Sequence, residues 1–485
     1  MTVTTLRWAG APRIALLAPL CAALAFLPTG CANLAAPSDD EIRERALGAL
    51  VVPAEWTAAA QANAFRPQWL GFDGDGELRQ LVDEAIAHNP DLRVAGSRLE
   101  QARLQMRLAG ADLLPAVTLG GKYATSLQPA NGLDINGYGV VLNWELDLWG
   151  RARAEKKAGE AAYRSAEADY VYARQSLAAM TARAWLLAIE ATGLAELATR
   201  NRDATRTQTE LVTTRERVGK VSGQDVAVAR AKAQTFEDAA FQAEQGRQQA
   251  LRTLETLLGR YPSASIAVPS TLPGSLEAVP AGVPAQVVER RPDLLAARKR
   301  FEQAYFNREE ARGARLPRVA LNLGAGHLTS DYVQFKDGLA STVYPLGGTL
   351  VWPLFDAGRL KTRLEIRDEQ QREASADYAR TILTALGEVE NGLAADTLLE
   401  QREVSLSRQV EALMQALDAA KVQLRIGKVD RHELLERQLS LDSARVALIR
   451  VATERRTQRA NLHLALGGDF GVLVEAAGRD QNTGR

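Results

Sequence analysis

The chain is a tandem duplication, and this constrains the fold more than any other feature. Residues 89–121 read NPDLRVAGSRLEQARLQMRLAGADLLPAVTLGG, and residues 291–324 read RPDLLAARKRFEQAYFNREEARGARLPRVALNLG. Pro90, Asp91, Leu92, Glu100, Gln101, Leu114, Pro115, Val117 and Leu119 all recur at a constant offset, as Pro292, Asp293, Leu294, Glu302, Gln303, Leu316, Pro317, Val319 and Leu321. Further along, the offset lengthens once and then holds. Trp144, Gly150 and Arg151 match Trp352, Gly358 and Arg359, and Arg217, Gly219 and Lys220 match Arg425, Gly427 and Lys428. Each unit is roughly 200 residues, too long for the repeats of a solenoid array. The expected organisation is a first repeat over 73–259, a Pro/Ser/Gly-rich linker over 260–284, a second repeat over 285–469 and a tail over 470–485.

Within each repeat, proline marks where long helices can run, because it interrupts them. None falls between Pro129 and Pro262, and none follows Pro353. From Arg151 to Arg217 the chain is dominated by Ala, Leu, Glu, Gln and Arg, all good helix formers. At 1.5 Å per residue such a helix is roughly 100 Å long. Tyr163, Tyr170 and Leu177 step by seven, the spacing of a coiled-coil seam. Gly219 breaks the pattern, and a return helix follows from about Gly223 to Leu258. The second repeat does the same over 359–425 and 430–466.

Ahead of each helical hairpin the period changes to two, the signature of strands. Val117, Leu119, Gly121 and Tyr123 alternate with Thr118, Gly120 and Lys122. Tyr138, Val140, Leu142, Trp144 and Leu146 then alternate with Gly139, Val141, Asn143, Glu145 and Asp147. The strand regions are expected over about 115–148 and 317–355, the last strand placing Leu350, Trp352 and Leu354 on one face. Glu145 and Asp147 on the polar face are not tolerated against lipid and suit a wet lumen. Trp144, Trp149 and Trp352 suit an interfacial aromatic girdle. A soluble sandwich edge is the alternative reading of such hairpins.

The N-terminus bears on that choice. Arg7 and Arg13 precede an apolar run, Ile14–Leu27, whose length fits a signal-peptide core better than a membrane span. Residues 1–30 therefore read as a signal peptide. Thr29-Gly30-Cys31 resembles a lipobox, making acylated Cys31 the first mature residue and 31–72 a lipid-anchored segment; an ordinary secretory signal with an incidental cysteine is the alternative. No later stretch reads as a transmembrane helix. An exported chain with apolar-out, polar-in strands of about ten residues fits an outer-membrane barrel. Four strands per chain cannot close, since the smallest such barrels need about eight, and open edges in lipid are prohibitive. Several protomers must then share one barrel.

Composition narrows the chemistry. Acidic and basic residues balance at 59 each, which argues against a nucleic-acid partner. The two cysteines, Cys21 and Cys31, both precede the body of the chain, and the four histidines lack ligand spacing. No nucleophile triad, phosphate loop or metal cluster stands out, so the reading is a non-enzyme with no cofactor beyond the lipid on Cys31. Gly324-Ala325-Gly326 lies within a strand, where glycine marks a bend or close packing.

Together these features resemble the outer-membrane factors of bacterial tripartite efflux pumps, the TolC-like and NodT-like lipoproteins of the outer membrane efflux protein family. The marks are the NPDL and RPDL helix starts, the LP-x-V strand starts at Pro115 and Pro317, and the WELDLWGR and WPLFDAGR junctions at Trp144–Arg151 and Trp352–Arg359. The resemblance implies an α+β membrane protein: a homotrimer whose twelve-stranded outer-membrane β-barrel continues as a periplasmic α-helical barrel. Its partners would be a periplasmic adaptor and an inner-membrane transporter, and its cargo small molecules. It also implies a gate at the periplasmic tip. Glu433 and Glu436 lie six and nine positions after Gly427, where the family commonly has gate aspartates, with Arg437 available to pair with them. Asp225 matches Glu433 in the first repeat, whereas Val228 matches Glu436. Acids near a helix N-terminus are also simply favoured by its dipole. Type I protein secretion and a lipid-anchored adaptor are the competing functions, although an adaptor needs one helical hairpin rather than two.

Overall fold

The computed structural model describes residues 35–48, 52–58, 76–124, 135–273, 276, 279, 281–330 and 342–468. Cys31, the signal segment and the tail beyond 469 lie outside them. One run of elements occurs twice. The first comprises α2 (Gly76–His88), α3 (Pro90–Ala111), β1 (Ala116–Ala124), β2 (Ile135–Leu146), α4 (Arg151–Arg217) and α5 (Gly223–Leu257). The second comprises α6 (Pro284–Arg290), α7 (Pro292–Gly313), β3 (Arg318–Ser330), β4 (Thr342–Val343), β5 (Leu346–Val351), α8 (Arg359–Arg425) and α9 (Arg431–Ala465). A short helix, α1 (Asp39–Leu47), precedes both. Helices α4 and α8 are each 67 residues long.

The chain forms two compact units. One contains Arg107–Ala158 and Ala304–Gln370 and carries the strands; the other contains Ser38–Met106, Gly159–Gln303 and the chain from Gln371 onward. In the strand unit, β1, β2, β3 and β4 follow one another in a single antiparallel sheet, with β5 also on β3. The fourth strand position is shorter than its alternation suggested. Tyr344-Pro345 interrupts it, because proline has no N–H for the ladder; the Pro345 carbonyl still accepts from the Gly324 amide at 2.8 Å. Trp352 and Leu354 lie beyond the end of β5, beside Pro353.

The helical unit holds the cores. Leu78, Leu81, Leu177, Trp185, Ile189 and Leu254 form the largest. Truncating one such leucine to alanine costs about 2–5 kcal/mol. Ile42 of α1 packs with Phe301, Tyr378 and Ile382, and Trp56 packs with Val287, Val389 and Leu393. The Thr57 and Ala58 amides donate to Glu390 at 2.8 and 3.0 Å, tying this N-terminal stretch to α8. One 18-residue window of α4 reaches a mean hydropathy of 1.2, so a stretch long and apolar enough to cross a membrane does exist; 61% of it is buried in the protein. Its apolarity follows from its place in this core.

The repeated helix-start motif has a physical reason. The Asn89 side-chain oxygen caps α3, accepting from the Asp91 and Leu92 amides at 2.9 and 3.2 Å, while its amide donates to the Leu257 carbonyl at the end of α5. In the second repeat Arg291, 2% exposed, donates to the corresponding carbonyl of Ala465 at 3.1 Å and is balanced by Asp293 and Glu388. The same latch is neutral in one repeat and charged in the other.

Candidate functional site at the sheet and the hairpin tips

The register divides the sheet by chemistry, with Val141, Val343 and Val351 as apolar exceptions on the polar face. Val117↔Leu142, Leu119↔Val140, Val140↔Ala325, Leu142↔Leu323 and Leu323↔Leu346 place the aliphatic residues on one face. The other face carries Thr118, Gly120↔Gly139↔Gly326 and Asn143↔Asn322, and the Asn322 amide donates to the Thr349 hydroxyl at 2.8 Å. Space requires glycine where β2 meets β3: a Cβ on Gly326 would sit 2.8 Å from the Tyr138 carbonyl oxygen and one on Gly139 3.0 Å from that of Ala325.

Nothing among the described residues covers the apolar face. Leu119 and Leu346 are 76% and 77% exposed, cost-free only if something apolar meets them. A soluble sandwich would stack a second sheet there, and none is present among the described residues. The nine residues from Tyr138 to Leu146 span roughly 26 Å along the strand, close to the height of a membrane barrel's apolar band. Aromatic residues flank that band: Tyr123 and Tyr138 at the strand end far from the helices, Trp144 and Trp149 at the near end. The two indole N–H groups donate to the Leu113 and Pro317 carbonyls at 3.1 and 2.7 Å.

Glu145 lies on the polar face, opposite Ala320. Its carboxylate accepts from Arg151 at 3.0 Å, and Arg151 also reaches Glu155 at 3.2 Å. Asp147 lies just past β2 and caps α4, accepting from the Ala152 and Arg153 amides and from the Arg153 guanidinium at 2.9 Å. Asp356 does the same for α8 through the Gly358 and Leu360 amides. These acids are therefore engaged at strand-to-helix junctions, where Gly150 and Gly358 take φ of 80° and 84°.

The hairpin tips are built alike in both repeats. Gly219 and Gly427 adopt φ of 71° and 72°. A Cβ at either would meet nothing within 4 Å, so backbone conformation and not space requires glycine. The Gly219 amide donates to the Glu216 carbonyl and Lys220 to Arg215; Gly427 donates to Leu424 and Lys428 to Gln423. Both are Schellman closures. Ser222 and Asp430 then cap α5 and α9.

Of the acids expected at this tip, Asp225 completes a capping box with Ser222, and hydrogen bonds from that residue's hydroxyl and amide hold its carboxyl below the usual range. Glu433 accepts from Arg437 at 2.6 Å, one helical turn away. Glu436 pairs with Lys232 of α5, and His432 Nε2 lies 3.9 Å from the same carboxylate oxygen. Arg437 thus neutralises only one of the two acids. Lys232 escaped the sequence reading although a signal was there: it stands one turn beyond Val228, on the same face of α5 as Asp225. The Lys232–Glu436 pair joins the first hairpin to the second. Beside it runs a groove of about 380 Å³ lined by Thr209, Val212, Lys232, Asp430 and Leu435, among others. Thr209 also ties α4 to α5, donating to the Ala229 carbonyl at 3.1 Å. Among the described residues no group of three or more His, Cys, Asp or Glu is placed to hold a metal.

Comparison with known proteins accords with this architecture. The family model for the outer membrane efflux protein matches twice, over residues 81–260 and 283–468. The toluene efflux pump outer membrane protein TtgC of Pseudomonas putida is 31% identical over 85% of this chain and 87% of its own length. Outer membrane protein OprJ of Pseudomonas aeruginosa is likewise 31% identical, over 85% and 89%. Among solved structures, the open state of the Neisseria gonorrhoeae MtrE outer membrane channel superposes with a TM-score of 0.76 at 27% identity, covering 87% of this chain and 96% of that one. With one family match in each repeat, an uncovered apolar sheet and two closed hairpin tips, the chain belongs to the outer membrane efflux protein family, as the outer-membrane channel of a tripartite efflux system that extends into the periplasm.

Proposed function

We propose that three copies of this chain close one twelve-stranded barrel and form a passive conduit without catalytic activity of its own, drawing direction and energy from an adaptor and an inner-membrane transporter. The observation that carries this reading is the sheet: its apolar face is bare, and among the described residues β1 pairs only with β2 while β4 and β5 pair only with β3. Unpaired edges facing lipid cost several kcal/mol per exposed backbone group, and neighbouring protomers are the source of partners.

In this conduit the polar sheet face lines the lumen, and the tip carrying Asp225, Glu433, Glu436 and Arg437 is the gate. Rings of three carboxylates repel one another when a tip closes; the Lys232 and Arg437 contacts supply the compensating charge. The cargo is small organic or toxic compounds, by analogy with the toluene named for one relative. Cys31 carries the lipid that anchors the mature chain to the inner face of the outer membrane.

Light scattering with detergent correction tests the assembly. About 150 kDa of protein is expected, three mature chains, and a monomer would overturn the shared barrel. Mass spectrometry of the N-terminal peptide should show acyl mass on Cys31 that Cys31→Ser lacks. A deletion strain should become more sensitive to small toxic compounds; loss of a secreted protein with unchanged sensitivity would favour protein secretion instead.

A further inference from the structure

Only three residues in the described strands are charged, Lys122, Glu145 and Arg318. All lie on the polar face, where the register pairs Lys122 with Gly137, Glu145 with Ala320 and Arg318 with Val351. Glu145 is drawn to Arg151 at the start of α4, and its side chain is only 30% exposed. Asp147, the next acid along, is consumed in capping α4, with 11% of its side chain exposed. Lys122 and Arg318 are both exposed, and neither meets a carboxylate among the described residues. Around Lys122 the face carries few side chains: Gly137 is its direct partner, and the row below is Gly120, Gly139 and Gly326, ending in Val343. Leu328 stands at the level of Lys122, ten residues along β3 from Arg318, or roughly 33 Å along the strand.

We propose that Lys122, with Arg318 as a second level, makes the barrel section of this channel favour anions, so that organic carboxylates, sulfonates and phosphates pass it more readily than organic cations. The proposal rests on the polar face being the lumen of the shared barrel. Threefold symmetry turns each residue into a ring of three cations in a narrow aqueous lumen. The low-dielectric wall around the lumen focuses their field. The Debye length at physiological salt is about 8 Å, so the rings act on solutes close to the wall and less on those far from it.

The test uses the full trimer in planar bilayers. Lumen placement is read first, with Lys122→Cys and the anionic thiol reagent sulfonatoethyl methanethiosulfonate; the native cysteines, Cys21 and Cys31, both precede the folded body. The current should change on labelling of Lys122→Cys and not on labelling of Leu119→Cys, which lies on the apolar face. If only Leu119→Cys responds, the lumen assignment itself fails. Selectivity is read from the zero-current potential under a KCl gradient. Lys122→Glu should lower the chloride-to-potassium permeability ratio about threefold or more, Lys122→Met should fall between, and Arg318→Glu should shift it the same way. Tripolyphosphate added on the barrel side should block the wild type more strongly than Lys122→Glu. A labelled, conducting Lys122→Cys channel together with unchanged ratios in both glutamate variants would overturn the proposal while leaving the barrel intact.

Discussion

With the hairpin tip as the gate proposed above, replacing Glu436 by glutamine should loosen it. The change is nearly isosteric and leaves α9 its helix-forming side chain, so what it removes is the charge that Lys232 holds across from the first hairpin. The two side chains are 32% and 47% exposed, so the pair sits in a high-dielectric setting, and exposed pairs contribute about 0.2–1 kcal/mol. If three protomers open together, the contributions sum to about 0.6–3 kcal/mol, or roughly 3-fold to 150-fold in the closed-to-open ratio. Open probability of the purified channel in planar bilayers reads this directly. Lys232→Met, which keeps the apolar stem, should give a similar increase, and the double variant should add little to either single change. Raising salt to 1 M shortens the Debye length to about 3 Å and should erase most of the difference. Arg437→Gln, whose partner is Glu433, should not couple to Lys232→Met. Strict additivity between Glu436→Gln and Lys232→Met would refute the clasp, because two residues acting through one contact cannot each lose it.

Two further predictions concern the helical unit. Asp396 and Arg459 form a buried pair between α8 and α9, with side chains 10% and 3% exposed. Asp396→Ala should cost about 3–5 kcal/mol by removing the carboxylate that this buried arginine pairs with, seen as a lower heat-dissociation midpoint, and Asp396→Ala with Arg459→Met should recover much of it; equal midpoints for wild type and Asp396→Ala would refute this. His463 is buried beside Arg290, and burial first, then that charge, pushes its pKa down to about 3. The folded state therefore holds the imidazole neutral where the unfolded chain takes up a proton below about 6.5. Its contribution is fully present above 6.5 and falls by up to about 1.4 kcal/mol per pH unit as pH drops toward about 3. His463→Leu should flatten that part of the stability profile, and an unchanged slope would count against the assignment.

Much of this protein is set by local sequence. The two 67-residue helices follow from proline-free, alanine-rich spans bounded by glycine, and their ends need no distant contact: Gly219 and Gly427 close them through backbone bonds a few residues long. The duplication and the division of each strand into an apolar and a polar face are likewise legible, because a period of two survives whatever the strand pairs with. Pairing itself is not local. That β2 joins β3, making one sheet from both repeats, and that Gly120, Gly139 and Gly326 share a row, depend on a register between segments nearly 200 residues apart. For the same reason sequence placed Glu145 and Asp147 on a wet face but did not show them bound to Arg151 and to the start of α4. It also placed Glu433 and Glu436 on one helix face without the cation that matters to Glu436, since Lys232 lies 204 residues away on another hairpin. Charge partners across a fold leave no periodic trace in a single chain, so only the tertiary structure decides which acids of this channel stay unpaired.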